Sequence, residues 1–169
     1  MVEIGSIIKF LEFKEVTFYT FHYDENQSSE NLAFEFIQKH QKHPQIDVLR
    51  SWIQRMGNDR SAAQHYFRRE RTAFALPPSI DISKEVCSLR WYCLRINYKS
   101  VILFMGGDKT TRKPEDCPNV AKPFKEANIL SKHIFKHIDQ GDLLTTDDDS
   151  LDLGQNNSFK IYNSDETKH

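Results

Sequence analysis

The chain has 169 residues, of which 38% are hydrophobic, 12% aromatic and 28% charged. This composition fits one globular domain and excludes collagen, coiled coils and disulfide-rich scaffolds. The longest strictly apolar run, Val101–Met105, is far shorter than the roughly 20 residues of a membrane span, so we predict no membrane segment. Residues 1–10 lack a cationic region followed by an apolar stretch, so we predict no secretory signal. Three cysteines suit a reducing compartment, and we therefore expect a cytoplasmic protein.

Charge is distributed unevenly along the chain. Residues 50–138 hold 17 basic and 8 acidic residues, whereas residues 139–169 hold 2 basic and 8 acidic residues. The excess of positive charge in the central block favours a polyanionic partner, although the same residues could simply coat a soluble surface. We therefore expect one domain over residues 1–141 and an acidic, flexible tail over residues 142–169.

The first half of the chain predicts a strand followed by helices. Aromatic and β-branched residues predict a strand over residues 16–23. Apolar residues at helical spacing predict one helix that stops at Pro44 and a second that ends at Gly57. The apolar spacing over residues 62–67 predicts a third helix, which ends before Pro77.

The second half predicts a hairpin and a final helix. Residues 87–96 and Val101–Met105 are rich in strand-forming side chains, and Gly106-Gly107 ends the second strand. A helix over residues 120–139 tolerates Pro123 because proline lies in its first turn. The expected fold is α+β, with a small antiparallel sheet, helices packed on one of its faces, a C-terminal helix and the acidic tail.

Two arginines lie within the apolar first strand of the hairpin. Alternation places Arg95 on the face of Trp91, and Arg90 on the face of Tyr92. An arginine among apolar residues usually has an anionic partner, either an internal carboxylate or a ligand phosphate. Residues 106–113 begin at the end of the second strand and contain two glycines, three cations and two threonines. This composition suits either phosphate binding or an exposed basic turn.

Other chemically active side chains give weaker signals. His133 and His137 are four residues apart and could bind a metal or act as acid and base, but a solvated helix face is the simpler interpretation. The three cysteines form no C-x-x-C pair, so we interpret them as packed core thiols. We therefore predict no metal site and no cofactor.

The stretches L-R-W-Y-C-L-R-I and V-I-L-F-M-G-G-D-K-T-T resemble the RelE/HigB/ParE-like toxin superfamily of type II toxin–antitoxin systems. In the HigB-like pattern, a strand ending in Leu-Arg and a strand ending near Gly precede a Lys/Thr-rich run and a C-terminal helix. Leu94-Arg95, Gly106-Gly107 and Lys109–Pro114 occupy these places here. The resemblance covers residues 13–138 in element order. The greater length, the acidic tail and the missing C-terminal acid/base residue depart from the family pattern.

The resemblance implies a bacterial, RelE-like mRNA endoribonuclease, acting free or on the ribosome and neutralised by a cognate helix-turn-helix antitoxin. The ribose 2′-hydroxyl would attack the adjacent phosphate without a metal. The candidate catalytic residues are Arg95, Lys109 and Arg112. The candidate RNA-binding residues are Arg68, Arg69, Arg90, Tyr92, Tyr98 and Lys113. A non-catalytic module of the same fold, which binds gyrase or acts as a regulatory partner protein, is the alternative, and a structural protein of a phage or plasmid is a third.

Overall fold

The computed structural model describes residues 2–24, 30–78, 87–153 and 158–162. Within these ranges the chain forms a seven-stranded sheet and three α-helices. The strands are β1 (Val2–Glu12), β2 (Thr17–Tyr23), β3 (Arg68–Glu70), β4 (Ala73–Leu76), β5 (Leu89–Asn97), β6 (Ser100–Asp108) and β7 (Ser158–Tyr162). The helices are α1 (Leu32–His40), α2 (Ile46–Arg55) and α3 (Ala121–Asp139). The two helices predicted before Gly57, the hairpin and the final helix are confirmed.

The strands follow the order β3-β4-β5-β6-β2-β1-β7 across the sheet. Neighbouring strands are antiparallel, except that β2 and β6 run parallel with Thr17 opposite Ser100. A parallel pair needs a long crossover connection, and here the chain between β2 and β6 supplies it. The fold is therefore α+β with a mostly antiparallel sheet.

Helices cover both faces of this sheet, which corrects the prediction that they pack on one face. Trp91 and Leu103 belong to the core that also contains residues of α1 and α2. Their neighbours Tyr92 and Phe104 belong to the core that also contains residues of α3. Apolar side chains on both faces of β5 and β6 are the pattern of a strand that is buried on both sides. The molecule consequently has three layers, in the order helix, sheet, helix.

The predicted third helix over residues 62–67 is wrong. A short 3₁₀ turn at Gln64–Tyr66 leads instead into the hairpin of β3 and β4, where Arg68 lies opposite Ala75. Only a few apolar residues support the helical spacing over residues 62–67. Pairing of β4 with β5, in contrast, buries Ala75 and Leu76 completely. Tertiary pairing therefore outweighs the local helical spacing.

The segment predicted to be a flexible acidic tail is part of the fold where the structure describes it. Leu143 and Leu151 are 1% and 5% exposed and pack in the core beneath α3. The Leu151 backbone N–H donates to the Tyr19 hydroxyl at 3.0 Å, and β7 pairs with β1. The acidic residues at 147–149 remain on the surface. The domain consequently continues past residue 141, because two buried leucines anchor the segment.

None of the helices in the described ranges combines the length and the apolar character that crossing a bilayer requires.

Candidate functional site

The predicted site residues lie at opposite ends of the hairpin formed by β5 and β6. Arg95 is opposite Val101, near the hairpin turn, whereas Lys109 follows β6 directly at the other end. A rise of about 3.3 Å per residue separates these two backbone positions by about 25 Å. Arg95 therefore does not join Lys109 and Arg112 in one site, contrary to the grouping that the sequence suggested.

Arg95 has structural partners at the hairpin turn. Its Nε donates to the Ala62 carbonyl oxygen at 2.6 Å, and its guanidinium carbon lies 4.8 Å from the centre of the Tyr98 ring. Burial lowers the pKa of Arg95, although the neighbouring Tyr98 raises it. Tyr98 itself is 59% exposed, so its ring is accessible to a stacking partner. Arg95 thus links β5 to the segment that follows α2.

We expect Arg95→Ala to lower the free energy of unfolding by about 1–2 kcal/mol, because the substitution removes one hydrogen bond and one cation–π contact. The activity of any site that depends on Lys109 should not change. Urea denaturation measures the first effect, and Lys99→Ala, in the exposed hairpin turn, is the control. Wild-type stability in the Arg95 variant would contradict this structural role.

At the other end of the hairpin, the charges of three predicted cations act on Glu70, a carboxylate that was not selected from the sequence. Burial raises the pKa of Glu70, the last residue of β3; the charges of Lys109, Arg90 and Arg68 counteract this rise, and the charge of Glu115 adds to it. We call Glu70, Arg68, Arg90 and Lys109 the Glu70 cluster. Three cations face two carboxylates here, and Glu115 is itself paired with Arg71, so an excess of positive charge remains.

Strand register places the Glu70 cluster on the face of the sheet that α3 covers. Arg68 lies opposite Ala75, and Ala75 lies opposite Tyr92, so the three side chains form one row across β3, β4 and β5. Arg68 Nε donates to the Pro77 carbonyl oxygen at 2.7 Å, which fixes its side chain along β4. The Lys109 backbone N–H donates to the Ser88 carbonyl oxygen at 2.8 Å and holds the chain against the start of β5.

Arg90 and Tyr92 are too buried for the direct RNA contacts that were predicted for them. Arg90 is 7% exposed and donates to the Cys87 carbonyl oxygen, and Tyr92 is completely buried with its ring against Phe124. Burial also raises the pKa of the Tyr92 phenol, which therefore stays protonated. The Tyr92 ring has no free face for a base, and Arg90 acts on the site through its charge.

Two buried polar atoms beside the Glu70 cluster lack a partner within the described ranges. They are Arg90 Nε and the Tyr92 hydroxyl oxygen. A buried donor without an acceptor costs about 1–3 kcal/mol.

The loop after β6 is held in place by Cys117. The Cys117 Sγ accepts from the Thr110 backbone N–H and donates to the Asp108 carbonyl oxygen, both at 3.4 Å. Burial opposes ionisation of this thiol, but hydrogen bonds from Thr110 and from the backbone that leads into α3 lower its pKa to about 7. Glu115 on the same loop forms an ion pair with Arg71, beyond β3. These contacts fix the loop beside the Glu70 cluster.

The three remaining predicted cations are exposed. Arg112 and Lys113 lie on the loop that starts at Lys109, so they add positive charge to that side of the molecule. Arg69 lies on the opposite face from Arg68, with its guanidinium carbon 5.7 Å from the centre of the Phe74 ring. Arg69 therefore does not belong to the site.

The cysteines and the acidic side chains form no evident metal centre in the described part of the chain. All three cysteines are free and buried, as expected for core thiols. No group of three or more His, Cys, Asp or Glu side chains in those ranges is arranged to hold a metal ion.

Glu70 was overlooked because its segment was assigned to a helix. The only signal in the sequence is the charged run R-R-E-R at residues 68–71, where one carboxylate lies among three arginines. No protein-family model, curated protein or solved structure matches the chain, so its function has to be inferred from this geometry.

Proposed function

We propose that the protein is a metal-independent endoribonuclease that cleaves mRNA at the Glu70 cluster. One observation carries the proposal: a carboxylate with a raised pKa lies among three cations on one face of the sheet. A carboxylate with a pKa nearer to neutrality is a stronger general base than an ordinary glutamate. Fixed positive charges beside it would stabilise the negative charge that develops on a phosphate.

The proposed reaction begins when the Glu70 carboxylate takes the proton of a ribose 2′-hydroxyl. The 2′-oxygen attacks the adjacent phosphorus, and the bond from phosphorus to the 5′-oxygen breaks. Lys109 contacts the phosphate oxygens and stabilises the charge on them, and the charges of Arg68 and of the buried Arg90 add to this effect without contact. The Lys109 ammonium supplies the proton to the leaving 5′-oxygen. The products are a 2′,3′-cyclic phosphate and a 5′-hydroxyl.

The order of elements supports a RelE-like relationship as part of this proposal. Leu94-Arg95 lies in β5, Gly106-Gly107 lies near the end of β6, and the loop of residues 109–114 precedes α3. These positions agree with the order that the resemblance implies. The proposal accordingly includes cytoplasmic mRNA as the substrate, free or on the ribosome, and a helix-turn-helix antitoxin as the partner.

A second candidate is a non-catalytic interaction module of the same fold. It is favoured by the internal partners of the two strand arginines, since Arg90 donates to the Cys87 carbonyl oxygen and Arg95 to the Ala62 carbonyl oxygen. Arginines with such partners contribute to the architecture of the sheet and need no phosphate.

An RNA-cleavage assay with two neighbouring arginine variants tests the proposal. Purified protein is mixed with end-labelled mRNA, in excess EDTA without ribosomes and in magnesium buffer with ribosomes, and the products are analysed for 2′,3′-cyclic phosphate ends. Arg68→Ala should slow cleavage about tenfold, because it removes one charge from the site. Arg69→Ala should leave the rate within about twofold, because that side chain lies on the opposite face.

The assay separates the two candidates. Folded wild-type protein that binds RNA or a protein partner without producing cyclic phosphate ends would favour the interaction module. An equal loss of rate in both arginine variants would show that cleavage occurs somewhere other than the Glu70 cluster.

A further inference from the structure

A crevice opens where the two parallel strands end. α1 follows β2 on one face of the sheet, and α3 follows β6 on the other face. Between these helices lies a cavity of about 1060 Å³, lined by residues of β1, β2, β6, α1 and α3. In open sheets, ligands bind outside the carboxyl ends of adjacent parallel strands whose following helices lie on opposite faces.

Close approach of the chain shapes one end of this crevice. A Cβ atom on Gly107 would lie 2.4 Å from the Asn119 carbonyl oxygen, so a side chain at this position would push β6 away from the start of α3. Gly107 and Asp108 line the crevice, whereas the next residue, Lys109, belongs to the Glu70 cluster. The crevice and the Glu70 cluster are therefore neighbouring but separate sites.

Basic side chains lie on both helices that border the crevice. Lys39 and His40 come from α1, and Lys122 and Lys125 come from α3. His40 Nδ1 lies 2.9 Å from the Phe36 carbonyl oxygen, so a ligand would meet Nε2 of this ring. Burial lowers the pKa of His40, which leaves the lysines as the positive charges. An anionic group can thus bind between the two helices.

A tyrosine–glutamate pair supplies hydrogen-bonding groups to the crevice. The Tyr23 hydroxyl donates to Glu126 Oε2 at 3.1 Å. Burial raises the pKa of Glu126 to about 7, although the hydrogen bond from Tyr23 and the charge of Lys122 oppose this rise. Near neutral pH, the pair can therefore both donate hydrogen bonds to hydroxyl or amino groups and accept them.

Four carboxylates line the crevice, Glu3, Glu35, Asp108 and Glu126, and they restrict where an anion can bind. Glu35 lies in the first turn of α1 and already complements that helix dipole. Asp108 accepts from the Ser88 hydroxyl at 2.6 Å and lies 2.9 Å from His43 Nε2. The first turn of α3, which carries Lys122, contains no acidic residue. An anion at the start of α3 therefore meets Lys122 without a carboxylate in that turn, whereas the backbone N–H groups of Val120 and Ala121 already donate to the Cys117 carbonyl oxygen.

We propose that this crevice binds a free mononucleotide. Its phosphate lies between Lys122 and Lys39, at the start of α3. Its sugar hydroxyls bond to Tyr23 and Glu126, and its base packs on the apolar part of the cavity wall. That part of the wall is formed by Leu32, Met105 and Ile129. The cavity exceeds the lower limit of about 300 Å³ for small-molecule sites, so it has room for this ligand.

Isothermal titration of the full chain with AMP, GMP, CMP and UMP tests the proposal. At least one nucleotide should bind, and Lys122→Ala or Tyr23→Phe should weaken it about tenfold, which corresponds to about 1.4 kcal/mol. Lys132→Ala is the matched control, because Lys132 is an exposed lysine of α3 that does not line the crevice. Circular dichroism and thermal melting establish that each variant is folded.

Three results would overturn the proposal. They are the absence of binding by all four nucleotides, equal weakening by Lys122→Ala and Lys132→Ala, and inorganic phosphate binding as tightly as the nucleotide. Glu70→Gln distinguishes this site from the proposed cleavage site. The variant should bind the nucleotide normally, and a loss of binding would place the nucleotide at the Glu70 cluster instead. If the wild-type protein binds the nucleotide but does not cleave RNA, the proposed endoribonuclease function is rejected and the nucleotide site is not.

Discussion

Glu70→Gln should slow RNA cleavage by about 10²–10⁴-fold, because an amide of the same shape cannot take the proton of the 2′-hydroxyl. RNA affinity should remain within about threefold or increase slightly, since the substitution removes a negative charge from a positive surface. Single-turnover cleavage at saturating protein measures the rate, and filter binding measures the affinity. A loss confined to the rate would identify Glu70 as the general base.

Two further variants sharpen this result. Glu12→Gln changes an exposed carboxylate on β1 and should leave cleavage unchanged. Glu70→Asp keeps an ionisable carboxyl and should retain a rate that increases with pH. Burial raises the pKa of Glu70, so the wild-type rate should fall on acidification at a higher pH than an ordinary glutamate would produce. Wild-type cleavage by Glu70→Gln would remove Glu70 from the mechanism.

Leu143→Ala should lower the free energy of unfolding by about 2–5 kcal/mol, whereas Leu144→Ala should lower it by less than about 0.5 kcal/mol. The two leucines are adjacent in sequence, but Leu143 is 1% exposed and Leu144 is 55% exposed. The first substitution leaves a cavity beneath α3, and the second removes a solvated side chain. Urea denaturation at neutral pH measures both values.

The leucine pair tests whether residues after 141 belong to the domain. Because both variants make the same chemical change, their difference reports only burial. Equal and small effects would show that the segment does not pack against α3 in solution. A large effect of Leu143→Ala would show that this part of the chain stabilises the fold despite its acidic composition.

The sequence predicted those elements whose own residues show a clear apolar pattern. β5, β6 and α3 have long apolar runs or stripes, and their bounds agree with the sequence to within a few residues. β1 was not predicted, although it pairs with β2 along most of its length. A Cβ atom on Gly5 would lie 2.2 Å from the Phe21 ring, so the glycine reflects contact with the neighbouring strand, which the residues of β1 alone do not reveal.

The candidate site was only partly predictable, because strand pairing decides which of its residues come together. Alternation identified Arg90 as a cation within a strand, and Lys109 was expected just after the hairpin. Arg68 was selected through the resemblance, in a segment that was predicted to be helical. These signals did not indicate that Arg95 lies at the other end of the hairpin, because that distance depends on strand register. Glu70 was missed because β3 is too short to show a period of its own, and its position depends on pairing with β4.

The parallel pairing of β2 with β6 has a consequence for synthesis of the chain. Thr20 lies opposite Leu103, 83 residues later, so the middle of the sheet closes only after β6 has left the ribosome. Until then β2 keeps one unpaired edge, and pairing across such a long loop is slow. Lys109 and α3 emerge later still. A nascent chain that has not yet released Lys109 therefore cannot assemble the Glu70 cluster, and any activity of this site is delayed until then.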